Sequence, residues 1–144
     1  MDALFLIVMI AGERVAMPAD HVESVIEIDH ITPVPRVAPH VAGLFALRSR
    51  VLTIIDSVAA LDLGKTPAGA AMQAVIVAFD GHPYGLLVDH VQDVVVGTGA
   101  VQPVRAALGG GWAKAALGVI EHEGDALLLI DPEILIGGNA AIAA

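Results

Sequence analysis

The sequence repeats one pattern in its two halves, and this duplication restricts the fold more than any other feature. Residues 5–28 read FLIVMIAGERVAMPADHVESVIEI, and residues 74–97 answer with AVIVAFDGHPYGLLVDHVQDVVVG. Later in each copy an apolar run ends in an acid, which is Asp56 in the first and Asp131 in the second. We therefore expect one small fold built twice, in which the positions that differ between the copies are the candidates for function.

Apolar, β-branched runs joined by short turns predict β-hairpins in both copies. In the second copy the turn is Asp80-Gly81, which is a strong hairpin signal. Five short extended segments per copy are typical of a small barrel. The sequence thus predicts an all-β fold of two five-stranded barrels with short capping helices. The predicted strands are residues 4–10, 14–17, 31–34, 43–47, 51–55, 73–79, 84–88, 101–104, 116–121 and 126–130.

The duplication also predicts the domain organisation. We expect residues 1–144 to form a single domain with a first barrel at 4–61 and a second barrel at 73–136. Residues 62–72 lack apolar periodicity and are rich in Gly, Pro and Ala, which favours a linker between the barrels. Because the halves are alike, exchange of strands between them stays open.

Four aspartates stand where short helices are expected to begin. Two of them are followed by His-Val and then, three residues after the aspartate, by Glu23 or Gln92, which is a capping-box arrangement. The valines behind these acids also fall at helical spacing. Pro132, in turn, occupies a preferred first helical position. The predicted structural caps are Asp20, Asp56, Asp89 and Asp131.

Composition excludes several classes of function. The net charge of −9 and the scarcity of aromatic residues disfavour nucleic acid as a partner. No cysteine is present, and the six histidines show no metal-ligand spacing, so we expect neither a metal site nor a cofactor. The longest apolar stretch, residues 3–11, is about half of the roughly 18 residues that a membrane span needs, so direct membrane insertion is not expected. A cytoplasmic location fits these features.

The repeated acids suggest one enzymatic alternative, a bilobal aspartic-type hydrolase that would use Asp56 and Asp131. That chemistry requires two carboxylates that share a proton, each in a tight turn with Gly following Asp-Ser or Asp-Thr. Val58 and Pro132 follow instead, and neither copy can form that turn. We therefore predict a protein without catalytic activity.

The largest difference between the copies lies in one hairpin turn. Residues 47–50 read Leu-Arg-Ser-Arg, whereas their counterparts at 121–124 read Glu-His-Glu-Gly. A guanidinium beside apolar Leu44, Phe45 and Leu47 is typical of a protein interface anchor. This difference predicts a protein-binding surface around Arg48.

The same residues resemble the CheW family of chemotaxis coupling proteins over about residues 4–135. The family shows a Pro-containing loop, a Gly-Val-x-Asn-Leu-Arg-Gly turn and an apolar strand that ends in Asp, which match residues 32–56 of this chain. The residues that keep the pattern are Gly43, Leu47, Arg48 and Asp56. The residues that depart from it are Ser24, Ala46 and Ser49, in place of Glu, Asn and Gly.

The resemblance implies two SH3-like barrels around a shared apolar core and a non-catalytic adaptor at receptor arrays. Family members couple methyl-accepting chemoreceptors to a histidine kinase by binding the receptor's cytoplasmic tip and the kinase's regulatory domain. Because Ser24, Ala46 and Ser49 depart from the family, a scaffold of a different signalling complex stays an alternative. The partner-binding residues that the match implies are Val22, Gly43, Leu47, Arg48 and Ser49.

Overall fold

The computed structural model describes residues 3–67, 72–97, 101–104, 108–109 and 111–143. Most of them lie in strands, which agrees with the predicted all-β class. The strands are β1 Ala3–Ile10, β2 Glu13–Pro18, β3 Val22–Ile28, β4 Val41–Leu47, β5 Arg50–Asp56, β6 Met72–Phe79, β7 His82–Val88, β8 His90–Gly97, β9 Ala116–His122 and β10 Asp125–Ile130. The helices are α1 Ser57–Ala60, α2 Trp112–Ala115 and α3 Pro132–Ala143.

The strands form two five-stranded sheets of equivalent design. The first sheet has the order β8-β1-β2-β10-β9, and the second has the order β3-β6-β7-β5-β4. Each sheet contains two strands from one half of the chain and three from the other. The sheets therefore do not follow the predicted division at residues 62–72: the halves exchange strands, which the sequence left open. Because both copies carry the same hairpin patterns, the sequence does not distinguish pairing within one half from pairing across the two halves.

Each sheet closes through the chain that follows its edge strand. β3 and β4 are the two edges of the second sheet, and Thr32, just beyond β3, forms a bridge with Leu44 on β4. Gln102 and Val119 form the equivalent bridge in the first sheet. The extended segments predicted at 31–34 and 101–104 are thus single bridges rather than full strands. The fifth strand of each sheet is instead the segment that was expected to be helical.

The predicted helices after Asp20 and Asp89 are wrong, because β3 and β8 occupy those positions. A register shift lies between Val22 and Ser24, and its equivalent in β8 leaves Gln92 unpaired between neighbours that pair with β1. A bulge of this kind inserts one residue and interrupts the alternation of a strand. The apolar residues then recur at intervals of three and four, which imitates a helix. Asp20 lies in the turn before β3, and Asp89 accepts a hydrogen bond from the Gly12 amide at 3.0 Å.

Asp56 and Asp131 do stand at helix starts. One oxygen of Asp56 accepts the amides of Val58 and Ala59 at 3.1 and 3.4 Å, so its side chain caps α1. Asp131 accepts the Glu133 amide at 2.9 Å at the beginning of α3. Capping of this kind typically contributes about 1 kcal/mol to stability.

Three apolar clusters explain why the strands are apolar on both faces. One cluster fills each barrel, and a third, here called the shared core, lies between the two sheets. Side chains of β1 alternate between the two environments, because Phe5 and Ile7 enter the first barrel while Leu6 and Val8 enter the shared core. The other buried members of the shared core are Ile10, Val15, Met17, Ile55, Ala60, Leu61, Val75, Val77, Leu86, Val88, Ala115, Ile130 and Leu135.

The described part of the predicted linker is held in place by Asp56. The Thr66 hydroxyl donates to one carboxylate oxygen of Asp56 at 2.7 Å, and the Thr66 amide donates to the other at 2.9 Å. Residues 68–71 of the predicted linker lie outside the described residues.

Candidate functional site

The β4–β5 hairpin carries the two exposed members of the predicted site. Leu47 pairs with Arg50, so Arg48 and Ser49 form a two-residue turn that projects into solvent. Arg48 has a φ of 58°, in the left-handed region that few side chains adopt readily. The turn is therefore a specific and mildly strained structure that presents a guanidinium.

This turn differs from the three other two-residue hairpins in the described part of the chain. Those turns, which end in Gly12, Gly81 and Gly124, have positive φ at both central residues. In the Arg48-Ser49 turn only Arg48 has a positive φ. A non-glycine residue at the second position explains the difference, because positive φ is costly for a side chain with a Cβ atom.

An ion pair joins this hairpin to β3. The Arg50 guanidinium donates to the Glu23 carboxylate at 2.9 Å, and the two side chains are 47% and 39% exposed. A pair this exposed contributes at most about 1 kcal/mol, so it positions the hairpin more than it stabilises the fold. Because Glu23 adjoins Val22, the pair places the Val22 segment and the turn on one side of the molecule.

The site residues fall into an outer and an inner group. Val22 is half-buried against the shared core, and Leu47 is half-buried against the apolar interior of the second barrel. Gly43 is buried, and a Cβ atom there would lie 2.2 Å from the Thr32 carbonyl oxygen. Gly43 therefore permits the bridge that closes the barrel, whereas Arg48 and Ser49 are fully exposed to solvent.

Sequence reasoning missed Glu23 and Arg50 as members of this surface. Glu23 belongs to the predicted capping box, and Arg50 stands in the Leu-Arg-Ser-Arg turn without a predicted role. The available signal is the difference between Glu23 and its equivalent Gln92 in the second copy. Arg48, unlike Arg50, forms no ion pair with the side chains that the structure describes.

Asp56 and Asp131, the two acids of the hydrolase alternative, have structural hydrogen bonds. Asp56 is buried, with 7% of its surface exposed. Its carboxylate accepts four hydrogen bonds, two from α1 amides and two from Thr66. Asp131 accepts an amide of α3. Both side chains therefore serve as helix caps. Among the described residues no three His, Asp or Glu side chains come together as metal ligands would.

Comparison with protein families identifies the fold and its relatives. The family model of the CheW-like domain matches residues 4–139, which is nearly the whole chain. The chain belongs to the CheW-like domain family. The family predicted from the sequence is thereby confirmed.

Two individual proteins illustrate the family. The chain is 28% identical over 90 residues to the chemotaxis protein CheW of Bacillus subtilis (strain 168), a match that covers 62% of this chain and 58% of that protein. The CheW-like fold also superimposes on the crystal structure of the scaffolding protein TtCheW from Thermoanaerobacter tengcongensis with a TM-score of 0.78. That superposition covers 90% of this chain and 89% of the other at 21% identity, and it confirms the two five-stranded SH3-like barrels.

Within the described ranges, no helix of this CheW-like chain has the length and apolar character needed to cross a bilayer.

Proposed function

We propose that the chain is a non-catalytic adaptor of bacterial chemotaxis that couples chemoreceptors to a histidine kinase. The observation that carries the proposal is the CheW-like family match, which extends over both barrels rather than over one of them. The related proteins named for chemotaxis and for scaffolding support the same role. The partners are the cytoplasmic tip of a methyl-accepting receptor and the regulatory domain of the kinase. The adaptor works in the cytoplasm, at membrane-associated receptor arrays.

The surface that supports this function is the outer part of the site, with Arg48 as its anchor. The Arg48 guanidinium is exposed and has no acidic partner among the described side chains, so its hydrogen-bonding capacity is available to another protein. Val22 and Leu47, the apolar members of the predicted site, are half-buried on β3 and β4 of the same sheet. An exposed arginine accompanied by apolar side chains is a composition that binding hot spots favour.

Reversal of the Arg48 charge tests the proposal. Arg48→Glu should lower receptor affinity by about 30-fold, because loss of a central anchor typically costs about 2 kcal/mol or more. Co-sedimentation of the adaptor with receptor-containing membranes, with and without the kinase, measures this loss. The melting temperature should stay unchanged, because Arg48 makes no stabilising ion pair in the described structure.

Arg36→Glu is the matched control. Arg36 is also exposed and also has a positive φ, of 61°, but it lies outside the hairpin. This variant should co-sediment as the unaltered chain does. If Arg48→Glu binds receptor as tightly as the unaltered chain, Arg48 is not the anchor. If the unaltered chain binds neither receptor nor kinase, the adaptor function is wrong.

The unusual turn favours one second candidate. Because Arg48 and Ser49 depart from the geometry of the other hairpins, a scaffold of a different signalling complex would use the same surface for another partner. Capture of partners from the native cell, followed by mass spectrometry, separates the two. Recovery of a kinase and a receptor supports chemotaxis, and recovery of neither supports the second candidate.

A further inference from the structure

One side-chain hydrogen bond crosses from the second sheet to the first. The Val91 amide, near the beginning of β8 in the first sheet, donates to the side-chain oxygen Oε1 of Gln73 in β6 of the second sheet at 2.6 Å. Both residues are half-buried. Of the side-chain hydrogen bonds between described residues, this one alone joins a strand of one sheet to a strand of the other. It is therefore a direct polar link between the two barrels.

The chain passes between the two sheets at equivalent places in its two copies. β2 of the first sheet is followed by β3 of the second, and β7 of the second sheet is followed by β8 of the first. We call these connections the first crossover, residues 19–21, and the second crossover, Asp89. Because the crossovers are equivalent in the repeat, a difference between them reflects the side chains that surround each one.

The first crossover closes on itself. The Val22 amide donates to the Ala19 carbonyl at 3.1 Å, which forms a tight turn at the start of β3. The residue of β1 that is equivalent to Gln73 is Leu4, and its side chain has no oxygen that could accept an amide. Leu4 is instead 50% exposed. The amide at the start of β3 therefore uses an acceptor from its own crossover.

The second crossover is held by both sheets instead. In the described structure it lacks the corresponding turn hydrogen bond, and Gln73 supplies the acceptor for the Val91 amide. The first sheet holds Asp89, because the Asp89 amide donates to the Met9 carbonyl at 2.8 Å. The Asp89 carboxylate also accepts the Gly12 amide at 3.0 Å. One crossover is thus closed by its own backbone, and the other is kept open by contacts from the two sheets.

We propose that Gln73 is a positioning residue that holds β8 to the second sheet and so fixes the orientation of the two barrels. It acts through the Val91 amide, because an amide at a half-buried position is costly to leave without an acceptor. Without Gln73, that amide would take the Val88 carbonyl and close the turn that the first crossover already shows. The closed turn would draw β8 toward the end of β7, so Gln73 selects one of two arrangements. The inference is tested on the isolated chain, and its failure would leave the proposed adaptor function untouched.

Nuclear magnetic resonance of the full chain tests the proposal with Gln73→Met, which keeps the length of the side chain but removes the acceptor. The unaltered chain should show scalar coupling between the Val91 amide nitrogen and the side-chain carbonyl carbon of Gln73. In the variant, coupling to the Val88 carbonyl carbon should replace it. Residual dipolar couplings should then report a changed orientation of the first sheet relative to the second. An unaltered chain without the Gln73 coupling, or an unchanged orientation in the variant, would overturn the proposal.

Two further variants separate the hydrogen bond from side-chain packing. Gln73→Glu keeps an acceptor oxygen at the same place in the side chain, so it should preserve the orientation of the unaltered chain. Leu4→Met is the matched control at the equivalent position and should change neither the Val22 amide signal nor the orientation. A cooperative melt of each variant shows that it is folded. A changed orientation in Leu4→Met, or one in Gln73→Glu as large as in Gln73→Met, would contradict the role of the hydrogen bond.

Discussion

The hydroxyl of Ser57 is a buried polar group that affects the stability of the protein. The residue has no exposed surface, and its hydroxyl has no hydrogen-bond partner in the described structure. Buried polar groups are nearly always paired, because desolvation without a partner costs about 1–3 kcal/mol. The neighbouring Asp56 already caps α1, so the Ser57 hydroxyl is not needed for that purpose.

Ser57→Ala should therefore stabilise the protein. Removal of the unpaired hydroxyl is expected to raise the free energy of unfolding by about 1 kcal/mol, and urea denaturation measures it. Ser24→Ala, at an exposed position, is the control and should change stability by less than about 0.5 kcal/mol. A less stable Ser57→Ala protein would mean that the hydroxyl has a partner in solution.

In the candidate site, the sequence predicts the exposed charge of Arg48 better than the roles of its neighbours. The charge difference between the two hairpins pointed to Arg48, and the structure places that side chain in solvent. The sequence does not predict the roles of Gly43 and Leu47, because these roles depend on which other segments pack against the two residues. Only the folded chain shows that the Thr32 carbonyl occupies the space beside Gly43.

At the scale of elements, bulges separate the strands that the sequence predicts from those that it does not. The regular hairpins were predicted correctly from their apolar runs and glycine turns. The sequence predicts helices at β3 and β8 because a bulge near Glu23 and near Gln92 accommodates valines at intervals of three and four. A bulge depends on pairing with a neighbouring strand, and that pairing leaves no local mark in a single sequence.

The bulge in β4 yields a stability prediction at Gly43. Gly43→Ala should destabilise the protein by about 1–3 kcal/mol or more, since the new Cβ atom would collide with backbone that cannot move independently. Thermal and urea unfolding measure the loss.

Gly124→Ala separates this collision from backbone strain. Gly43 and Gly124 both have a positive φ, of 148° and 82°, but a Cβ atom at Gly124 meets nothing within 4 Å. It should cost only about 1 kcal/mol, which is the penalty for a left-handed alanine. Equal losses in the two variants would show that backbone conformation, rather than the contact with Thr32, makes Gly43 necessary.

At the scale of the whole molecule, exchange makes the two halves interdependent. β1 and β2 lie in a sheet with β8, β9 and β10, while β6 and β7 lie in a sheet with β3, β4 and β5. The shared core likewise takes side chains from both halves. The sequence predicts eight of the ten strands, but equal copies make pairing within and between halves look alike.

Separated halves should therefore fail to fold. Residues 1–67 and residues 68–144, expressed individually, should each lack the dispersed amide spectrum and cooperative melt of the full chain, and mixing them should restore both. The full chain cleaved between Pro67 and Ala68 after folding is the control and should stay folded. A first half that folds alone would contradict the need for exchanged strands.

The pairing of β1 with β8 also sets the order in which this chain can mature on the ribosome. Ala3 pairs with Gly97, so the first strand to be synthesised waits for a partner about two thirds of the chain away. Contacts of such separation close slowly and leave strand edges uncovered in the meantime. The β8-facing edge of β1 therefore stays unpaired until most of the chain has been made, although its apolar residues are among the best buried in the finished protein.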